Sequence, residues 1–294
     1  MRTVTQFIQG DARPAPVDIT ALCETAPMSG QSLRVLITGA ARAIGEALTV
    51  ELADRGHDVI ATARNVNDVA PYKHVRRLQL DVTSDESIAG CLAQAGDFDV
   101  LVNNAALSGS GPLEDFPIDR LRSVLETNTI GPLRMIQAVV PAWRERNHGL
   151  IVNVSSVQGR VGSPTEGVYC ASKFALEALS ETLHYELGHF GIRTLIVEPG
   201  YIAPGMKPSD RHTGPDAYQD LWAQWSGTAA TVTGSDGRTP SPVAAAKIAD
   251  AIEDDDAPLR LSVGADAELI LDTWKALSDA DFEAAMRSTL SLDW

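Results

Sequence analysis

Short apolar runs alternate with helix-length amphipathic segments from Arg34 onward. The apolar runs are rich in β-branched residues, and in chain order they read RVLIT, DVIATA, VRRLQL, DVLVNN, LIVNVS and RTLIVE. Such runs are typical of buried strands, and helix-length connections between them are typical of parallel pairing. The pattern therefore predicts an α/β fold, a doubly wound parallel sheet with helices on both faces.

Helices are predicted between these strands wherever apolar positions recur at helical spacing. The predicted helices are Ile44–Arg55, Ser84–Ala95, Asp119–Arg146 and Tyr169–Gly188. Gly56 follows the first and Gly188 ends the last, as glycines that cap helices do. A helix at Val243–Glu253 and a strand at 259–263 follow, which brings the predicted sheet to about seven strands.

The segments outside this repeating pattern differ from it in composition. Residues 1–32 carry three prolines and no clear period, so they are expected to form an N-terminal extension to a single domain, 33–294. Residues 201–242 are rich in Gly, Pro, Ser and Thr, which predicts a lid over a site. Its aromatic face either docks the lid on the domain or lines a substrate pocket, and it consists of Tyr218, Leu221, Trp222 and Trp225.

Charge and cysteine content narrow the possible partners. The 294 residues include 39 acidic and 24 basic side chains, a net charge of −15, so nucleic acid and anionic membranes are poor partners. The three cysteines have neither disulfide nor metal spacing, so no metal is expected. No apolar run approaches the ~18 residues of a membrane span, and a cytoplasmic protein is expected.

A glycine turn follows the first predicted strand. It reads Thr38-Gly39-Ala40-Ala41-Arg42-Ala43-Ile44-Gly45 and leads directly into a helix. In this position backbone N–H groups and the positive helix end can bind a pyrophosphate. Strand-to-helix turns also use glycine for steric reasons alone, so the turn by itself indicates a dinucleotide only weakly.

A tyrosine and a lysine lie four residues apart further along the chain. Tyr169 and Lys173 fall on one helical face, where the ammonium is expected to favour the ionised phenol and to lower its pKa. Such a pair is more often a solvated helix face. However, Ser156 stands thirteen residues before Tyr169, where the predicted strand LIVNVS ends. Ligands of open α/β sheets bind at that carboxyl edge.

Taken together, these motifs resemble the short-chain dehydrogenase/reductase family over about residues 33–202. The matching residues, in family order, are the TGAARAIG turn, Leu80-Asp81-Val82, Asn103-Asn104-Ala105-Ala106, Asn128, Ser156, Tyr169, Lys173 and Pro199-Gly200. The segment Val263–Ala267 is similar to the hydroxysteroid- and retinol-dehydrogenase-like branch. The resemblance implies a Rossmann-type fold, and a homodimer or homotetramer formed through the helices at 119–146 and 168–188.

The resemblance also implies roles for individual residues. Tyr169 would exchange a proton with the carbonyl or alcohol oxygen, and Ser156 would hydrogen-bond the same oxygen. Lys173 would bind the nicotinamide ribose and tune Tyr169, while Asn128 would anchor a water as a proton relay. The implied cofactor-binding residues are Gly39, Ala41, Arg42, Ala43, Ile44, Gly45, Arg64, Asp81, Val82, Asn104, Ala105, Ala106, Tyr169, Lys173, Pro199, Gly200 and Ile202. The candidate substrate residues are Val157, Gln158, Tyr201, Trp222 and Trp225.

Three positions depart from the family pattern: Ala43 and Ala106 each replace a glycine, and Pro204 stands where a threonine often binds the carboxamide.

The choice between NAD and NADP is predicted from the charged residues near the end of the second strand. The second predicted strand ends at Ala63 without the acid that accepts from the ribose of NAD. Arg42 and Arg64 are instead expected at a 2′-phosphate, which guanidinium groups bind through paired hydrogen bonds.

The sequence thus predicts an NADP(H)-dependent oxidoreductase that interconverts a ketone or aldehyde and its alcohol, on a bulky and mostly apolar substrate. Two alternatives stay open. An epimerase or dehydratase on the same scaffold would keep the tyrosine and lysine. A non-catalytic dinucleotide-sensing protein would lose catalytic groups, whereas Asn128, Ser156, Tyr169 and Lys173 are all present.

Overall fold

The computed structural model describes residues 30–206, 212–234 and 237–294. Of the predicted extension 1–32, all but residues 30–32 lie outside this part of the chain. The strands are β1 Arg34–Ile37, β2 Asp58–Ala63, β3 Val75–Gln79, β4 Val100–Asn103, β5 Gly149–Val154, β6 Ile192–Pro199, β7 Ile202–Ala203, β8 Thr239–Pro240 and β9 Arg260–Val263. The α-helices are α1 Ala43–Asp54, α2 Asp85–Ala95, α3 Ile118–Leu125, α4 Gly131–Arg146, α5 Gly167–Gly188, α6 Gln219–Ser226, α7 Thr228–Thr233, α8 Ser241–Glu253, α9 Ala265–Ala276 and α10 Asp279–Leu290.

The main sheet has seven strands in the order β3-β2-β1-β4-β5-β6-β9, and every neighbouring pair is parallel. The order reverses between β1 and β4, the position where ligands bind in doubly wound sheets. The predicted α/β fold with about seven parallel strands is therefore confirmed. Outside this sheet, β7 and β8 form a separate two-stranded pair.

Alternate residues of the central strands enter two different apolar layers. In β1, Val35 and Ile37 pack in a layer that includes residues of α1 and α8, whereas Leu36 packs on the opposite face with residues of α2 and α4. Val35, Leu36 and Ile37 are fully buried because helices cover both faces of the strand. This double cover explains why the strands read as unbroken apolar runs.

One predicted helix is interrupted in the structure, and one predicted helix cap is wrong. The predicted helix Asp119–Arg146 begins at Ile118 and contains one π-helical stretch, Glu126–Ile130, between α3 and α4. Helix α5 ends at Gly188 as predicted, but its C-cap is His189, and the glycine with a positive φ lies further on at Gly191, at 66°. By contrast, Gly56 directly follows the cap of α1 with φ 90°, as predicted.

The segment 201–242 has more regular structure than its composition predicts. Where it is described, it contains β7, α6, α7 and β8. The two ends of the segment are joined by a hydrogen bond from the Thr239 backbone N–H to the Tyr201 carbonyl, 2.9 Å long. Across the described ranges, no helix has the length and apolarity that a membrane span requires.

Candidate active site

A cleft of about 1010 Å³ opens at the carboxyl edge of the sheet. Every predicted cofactor-binding residue except Gly45 contributes to its lining, and so do Ser156, Gln158, Tyr201 and Trp225. Most of these residues lie at or just after the carboxyl ends of β1 to β6, and others belong to α1, α5 and α6. The fold therefore gathers into one cleft motifs that lie far apart in the sequence, from Gly39 to Ile202.

The glycine turn is held by close backbone contacts. Gly39 has φ 66°, and a Cβ atom there would lie 2.8 Å from the Cα of Ala105. A Cβ at Gly45 would lie 2.5 Å from the Nδ2 of Asn104. The Asn104 amide donates to the carbonyls of Thr38 and Gly39, at 2.9 and 3.0 Å. Gly45 thus serves the turn without lining the cleft, since it makes room for the asparagine.

Thr38 is a residue of this site that the sequence analysis did not select. It is buried, and its Oγ1 accepts hydrogen bonds from the backbone N–H groups of Asn104 and Ala105, both 3.0 Å long. The hydroxyl thereby fastens the end of β4 to the turn after β1. The sequence feature that could have identified Thr38 is its position as the first residue of the TGAARAIG turn.

Ala43 adopts φ 50° at the first turn of α1. This left-handed conformation suits glycine and is strained for alanine, by roughly 1 kcal/mol. The backbone nevertheless takes the shape that the glycine of the family pattern would give. The cleft fits a dinucleotide for three reasons: this turn shape, the N-terminus of α1 beside it, and the guanidinium groups of Arg42 and Arg64 in its lining.

Ser156, Tyr169 and Lys173 lie together in the cleft and are all buried. The Ser156 hydroxyl oxygen accepts from the Gln158 backbone N–H at 3.1 Å, which fixes it just past the end of β5. The Lys173 ammonium donates to the Val154 carbonyl at 2.7 Å and lies 5.7 Å from the centre of the Tyr169 ring.

Burial shifts the pKa values of Tyr169 and Lys173 in opposite directions. Desolvation raises the pKa of Tyr169, although the hydrogen bond with Ser156 acts in the opposite direction. The predicted lowering by Lys173 is therefore wrong for this phenol, because desolvation dominates and the ammonium is directed to the Val154 carbonyl. Desolvation also lowers the pKa of Lys173 to about 8, while the charge of Glu177 opposes that change.

Asn128 sits in the π-helical stretch and is fully buried. Its Nδ2 donates to the Leu107 carbonyl at 2.9 Å and to the Ser172 hydroxyl at 3.0 Å, while its Oδ1 accepts from the Leu107 backbone N–H at 2.7 Å. Both amide hydrogens are used within the protein, so these contacts give the side chain a positioning role between the segment after β4 and α5. The relay water stays a prediction, and it would bind to acceptor atoms of Asn128.

Charged groups line the opposite end of the cleft, near the end of β2. Arg42 and Arg64 are exposed, and among the described residues neither has an ion-pair partner. Burial raises the pKa of Asp81, but hydrogen bonds from Thr83 and the charge of Arg64 outweigh it and lower this pKa. Asp68 also lines this end, where its Oδ1 accepts from the Asn65 amide at 3.1 Å.

The candidate substrate residues divide into two groups. Gln158, Tyr201 and Trp225 line the cleft, and Val157 lines a smaller cavity beside it. Trp222 lines neither cavity, and its indole N–H donates to the Thr213 carbonyl at 3.2 Å. Of the four residues on the predicted aromatic face, Trp225 alone lines the cleft.

Asp266 is a second residue that the sequence analysis missed as part of the site. Its buried carboxylate accepts from the Tyr201 backbone N–H at 2.6 Å. A Cβ at Gly200 would overlap the same carboxylate, so only glycine allows this approach. A residue of α9 thus fixes the turn after β6 that lines the cleft, and only the fold reveals the connection.

With this geometry described, comparison with known proteins identifies the class. The family model described as short chain dehydrogenase matches residues 34–214. The chain therefore belongs to the short-chain dehydrogenase family of oxidoreductases, which use a nicotinamide dinucleotide. The family assignment and the fold predicted from the sequence are both confirmed.

Similar proteins narrow the branch. The chain is 41% identical over 182 residues to retinol dehydrogenase 8 of Bos taurus, a match that spans 57% of this chain and 58% of the relative. It is 39% identical over 184 residues to human 17-beta-hydroxysteroid dehydrogenase type 1, which spans 57% of this chain and 56% of that one. Each match spans less than two thirds of the relative's own length. The identities confirm the predicted likeness to the hydroxysteroid and retinol branch.

Solved structures extend the likeness to most of the chain. A short-chain dehydrogenase from Streptomyces avermitilis has a TM-score of 0.75 and 35% identity, and the match covers 89% of this chain and 99% of that one. A short chain dehydrogenase from Burkholderia cenocepacia, in complex with NADP, has a TM-score of 0.69 and 25% identity, with 90% and 98% covered.

Proposed function

We propose that this oxidoreductase uses NADP(H) to interconvert a ketone or aldehyde and the corresponding alcohol. The observation that carries the proposal is the grouping of Ser156, Tyr169 and Lys173 in the same cleft as the glycine turn. The bound dinucleotide would supply or accept the hydride. The protein's own residues would bind the carbonyl group and move the proton.

Tyr169 would donate its proton to the carbonyl oxygen during reduction and accept it during oxidation. Because burial raises its pKa, the phenol stays protonated at neutral pH and suits the role of acid. The Ser156 hydroxyl would donate a second hydrogen bond to the oxygen as negative charge develops there. Lys173, held by the Val154 carbonyl, would bind the ribose next to the reaction centre.

The preference for NADP rests on the two arginines at the far end of the cleft. The chain has a net charge of −15, yet Arg42 and Arg64 have no ion-pair partner among the described residues. A 2′-phosphate would give both guanidinium groups a partner at hydrogen-bonding distance. The NADP complex of the Burkholderia cenocepacia relative supports this assignment.

The substrate is proposed to be bulky and mostly apolar, as the aromatic and aliphatic residues near Ser156 favour. Following NADPH absorbance against a panel of ketones and aldehydes tests the proposal. Consumption of NADPH in proportion to alcohol formed supports it. An epimerase or dehydratase would change its substrate with no net NADPH loss, and a sensing protein would bind NADPH without any turnover.

Assembly and location complete the proposal. A homodimer or homotetramer would cover Phe174 and Tyr185, which α5 leaves 44% and 82% exposed. We also propose a cytoplasmic location. Light scattering tests the first proposal, where a monomer of 31.4 kDa at micromolar concentration would contradict it, and fractionation of cells tests the second.

A further inference from the structure

A second, smaller cavity of about 90 Å³ lies beside the main cleft. The two share part of their lining, namely Ser156, Gln158, Gly200, Tyr201 and Trp225. A carbonyl group held at Ser156 therefore has this side cavity next to it. Any substituent on the carbonyl carbon that points towards Val157 would enter it.

Six of the thirteen residues that line the side cavity have aliphatic or thioether side chains. These are Val157, Val161, Val232, Ile270, Met286 and Leu290. Four residues with hydroxyl groups also contribute to the lining, namely Ser156, Ser163, Tyr201 and Thr228. Of these, Thr228 Oγ1 donates to the Trp225 carbonyl at 2.8 Å. An apolar group would gain from burial against the six apolar side chains, and the Thr228 hydroxyl is already hydrogen-bonded within the protein.

The part of the chain that closes this cavity lies outside the matched family region. Val232 belongs to α7, Ile270 to α9, and Met286 and Leu290 to α10, whereas the family model ends at residue 214. The length of substituent that fits the side cavity is consequently set by these C-terminal residues. The shared catalytic residues do not determine it.

We infer that the side cavity binds one unbranched alkyl substituent of the carbonyl substrate, with room for a chain but not for a ring system. The inference rests on the proposed function for the position of the carbonyl group. An apolar cavity of about 150 Å³ holds one benzene molecule, so about 90 Å³ holds a chain of roughly four carbons. The bulky part of the substrate then lies in the main cleft.

The test uses methyl n-alkyl ketones from 2-butanone to 2-decanone with the full chain and NADPH. The value of kcat/KM should rise about fourfold per methylene, as ~0.8 kcal/mol per buried CH₂ implies, and level off near four carbons. Calorimetric titration of the NADP⁺-loaded protein with the same ketones gives affinities that do not depend on turnover.

Ile270→Ala and Leu269→Ala form a matched pair on α9. Ile270 lines the cavity, while Leu269 is 58% exposed and does not. Ile270→Ala should move the levelling point to longer chains by one or two carbons, and Leu269→Ala should leave it unchanged. If Ile270→Ala lowers the melting temperature too far, Met286→Trp, which fills the cavity, should shorten the preferred chain instead.

The outcomes separate the inference from the proposed function. Length-dependent binding without NADPH oxidation overturns the proposed reaction and supports the cavity as an alkyl site. Turnover whose kcat/KM does not depend on chain length, or a levelling point that neither Ile270→Ala nor Met286→Trp moves, overturns the inference and leaves the reaction standing.

Discussion

The two sides of the cleft are built from different kinds of contact. On the dinucleotide side, backbone atoms and short polar side chains hold one another at fixed distances, as Thr38, Gly39 and Asn104 show. On the substrate side, Trp225, Ile270 and Met286 come from three separate helices and line the side cavity that adjoins the cleft. Hydrogen-bonded backbone tolerates little change, whereas apolar walls tolerate changes that conserve volume.

This difference predicts how each side responds to substitution. A change on the dinucleotide side should affect every substrate equally, because it acts on the turn or the proton donor. A change on the substrate side should alter which substrates are used and leave dinucleotide binding intact. Each experiment below tests one part of that contrast.

The largest effect is expected for Tyr169→Phe. Loss of the phenolic proton should lower kcat by about 10²–10⁴-fold for every carbonyl substrate, since this is the usual contribution of general acid catalysis. The ring still packs, so the NADPH dissociation constant should change only a few-fold. Steady-state kinetics and fluorescence titration measure the two quantities. Retention of more than about a tenth of kcat would remove Tyr169 from the acid role.

A smaller effect, confined to one cofactor, is expected for Arg64→Ala. Each charge-assisted hydrogen bond is worth about 1.5–3 kcal/mol, so kcat/KM with NADPH should fall by about one to two decades. NADH serves as the internal control and should be nearly unaffected. Adding Ala63→Asp should go further, because the new carboxylate repels the phosphate and accepts from the ribose.

The cofactor prediction also has a clear contrary result. If the unaltered protein prefers NADH, or if Arg64→Ala weakens both cofactors equally, Arg64 does not read the phosphate. Asp68 then becomes the residue to examine, since its carboxylate lines the same end of the cleft.

The sequence predicted the dinucleotide side well for the same reason that this side is rigid. A turn that requires glycine, or a tyrosine and lysine one helical turn apart, leaves a local pattern of residue types. Ser156, Tyr169 and Lys173 therefore reach the cleft as predicted. The titration of Tyr169 was not predictable in this way, because its pKa depends on burial by residues distant in the chain.

The remaining failures also depend on long-range contacts. The π-helical stretch around Asn128 has no distinguishing composition, and the predicted pattern ran through it as one helix. Asp266 contacts Tyr201 across 65 positions. Trp222 does not line the cleft, and its indole N–H donates to the Thr213 carbonyl. No periodicity in the sequence encodes such pairings.

A moderate effect on stability should separate two helical glycines. In Gly45→Ala, the new methyl would meet Asn104 Nδ2 at 2.5 Å and the Gly39 carbonyl at 2.6 Å. We expect the free energy of unfolding to fall by about 1–3 kcal/mol, with weaker NADPH binding. Gly90→Ala in α2 is the control, because nothing lies within 4 Å and alanine should stabilise the helix by about 0.5–1 kcal/mol. Urea unfolding of both variants measures the difference, and equal responses would contradict the tight turn.

The smallest effect concerns pH and the charge on Lys173. Its pKa of about 8 means that the ammonium predominates below pH 8 and is lost above it. If the ammonium binds the ribose, kcat/KM for reduction should be level at lower pH and fall up to tenfold per unit above about pH 8. Tyr169 should add no limb at neutral pH, because burial raises its pKa. The measurement is a pH profile of NADPH oxidation.

Two glutamates of α5 provide a matched pair for this profile. Glu177 raises the pKa of Lys173, and both Glu177 and Glu181 accept hydrogen bonds from Arg260, at 2.8 and 2.6 Å. Glu177→Gln removes the negative charge that favours the ammonium, so the falling limb should move to lower pH. Glu181→Gln alters the same arginine cluster but is not among the groups that shift Lys173, so its limb should stay in place. A limb that moves equally in both variants would show that the profile reports the Arg260 cluster and not the charge on Lys173.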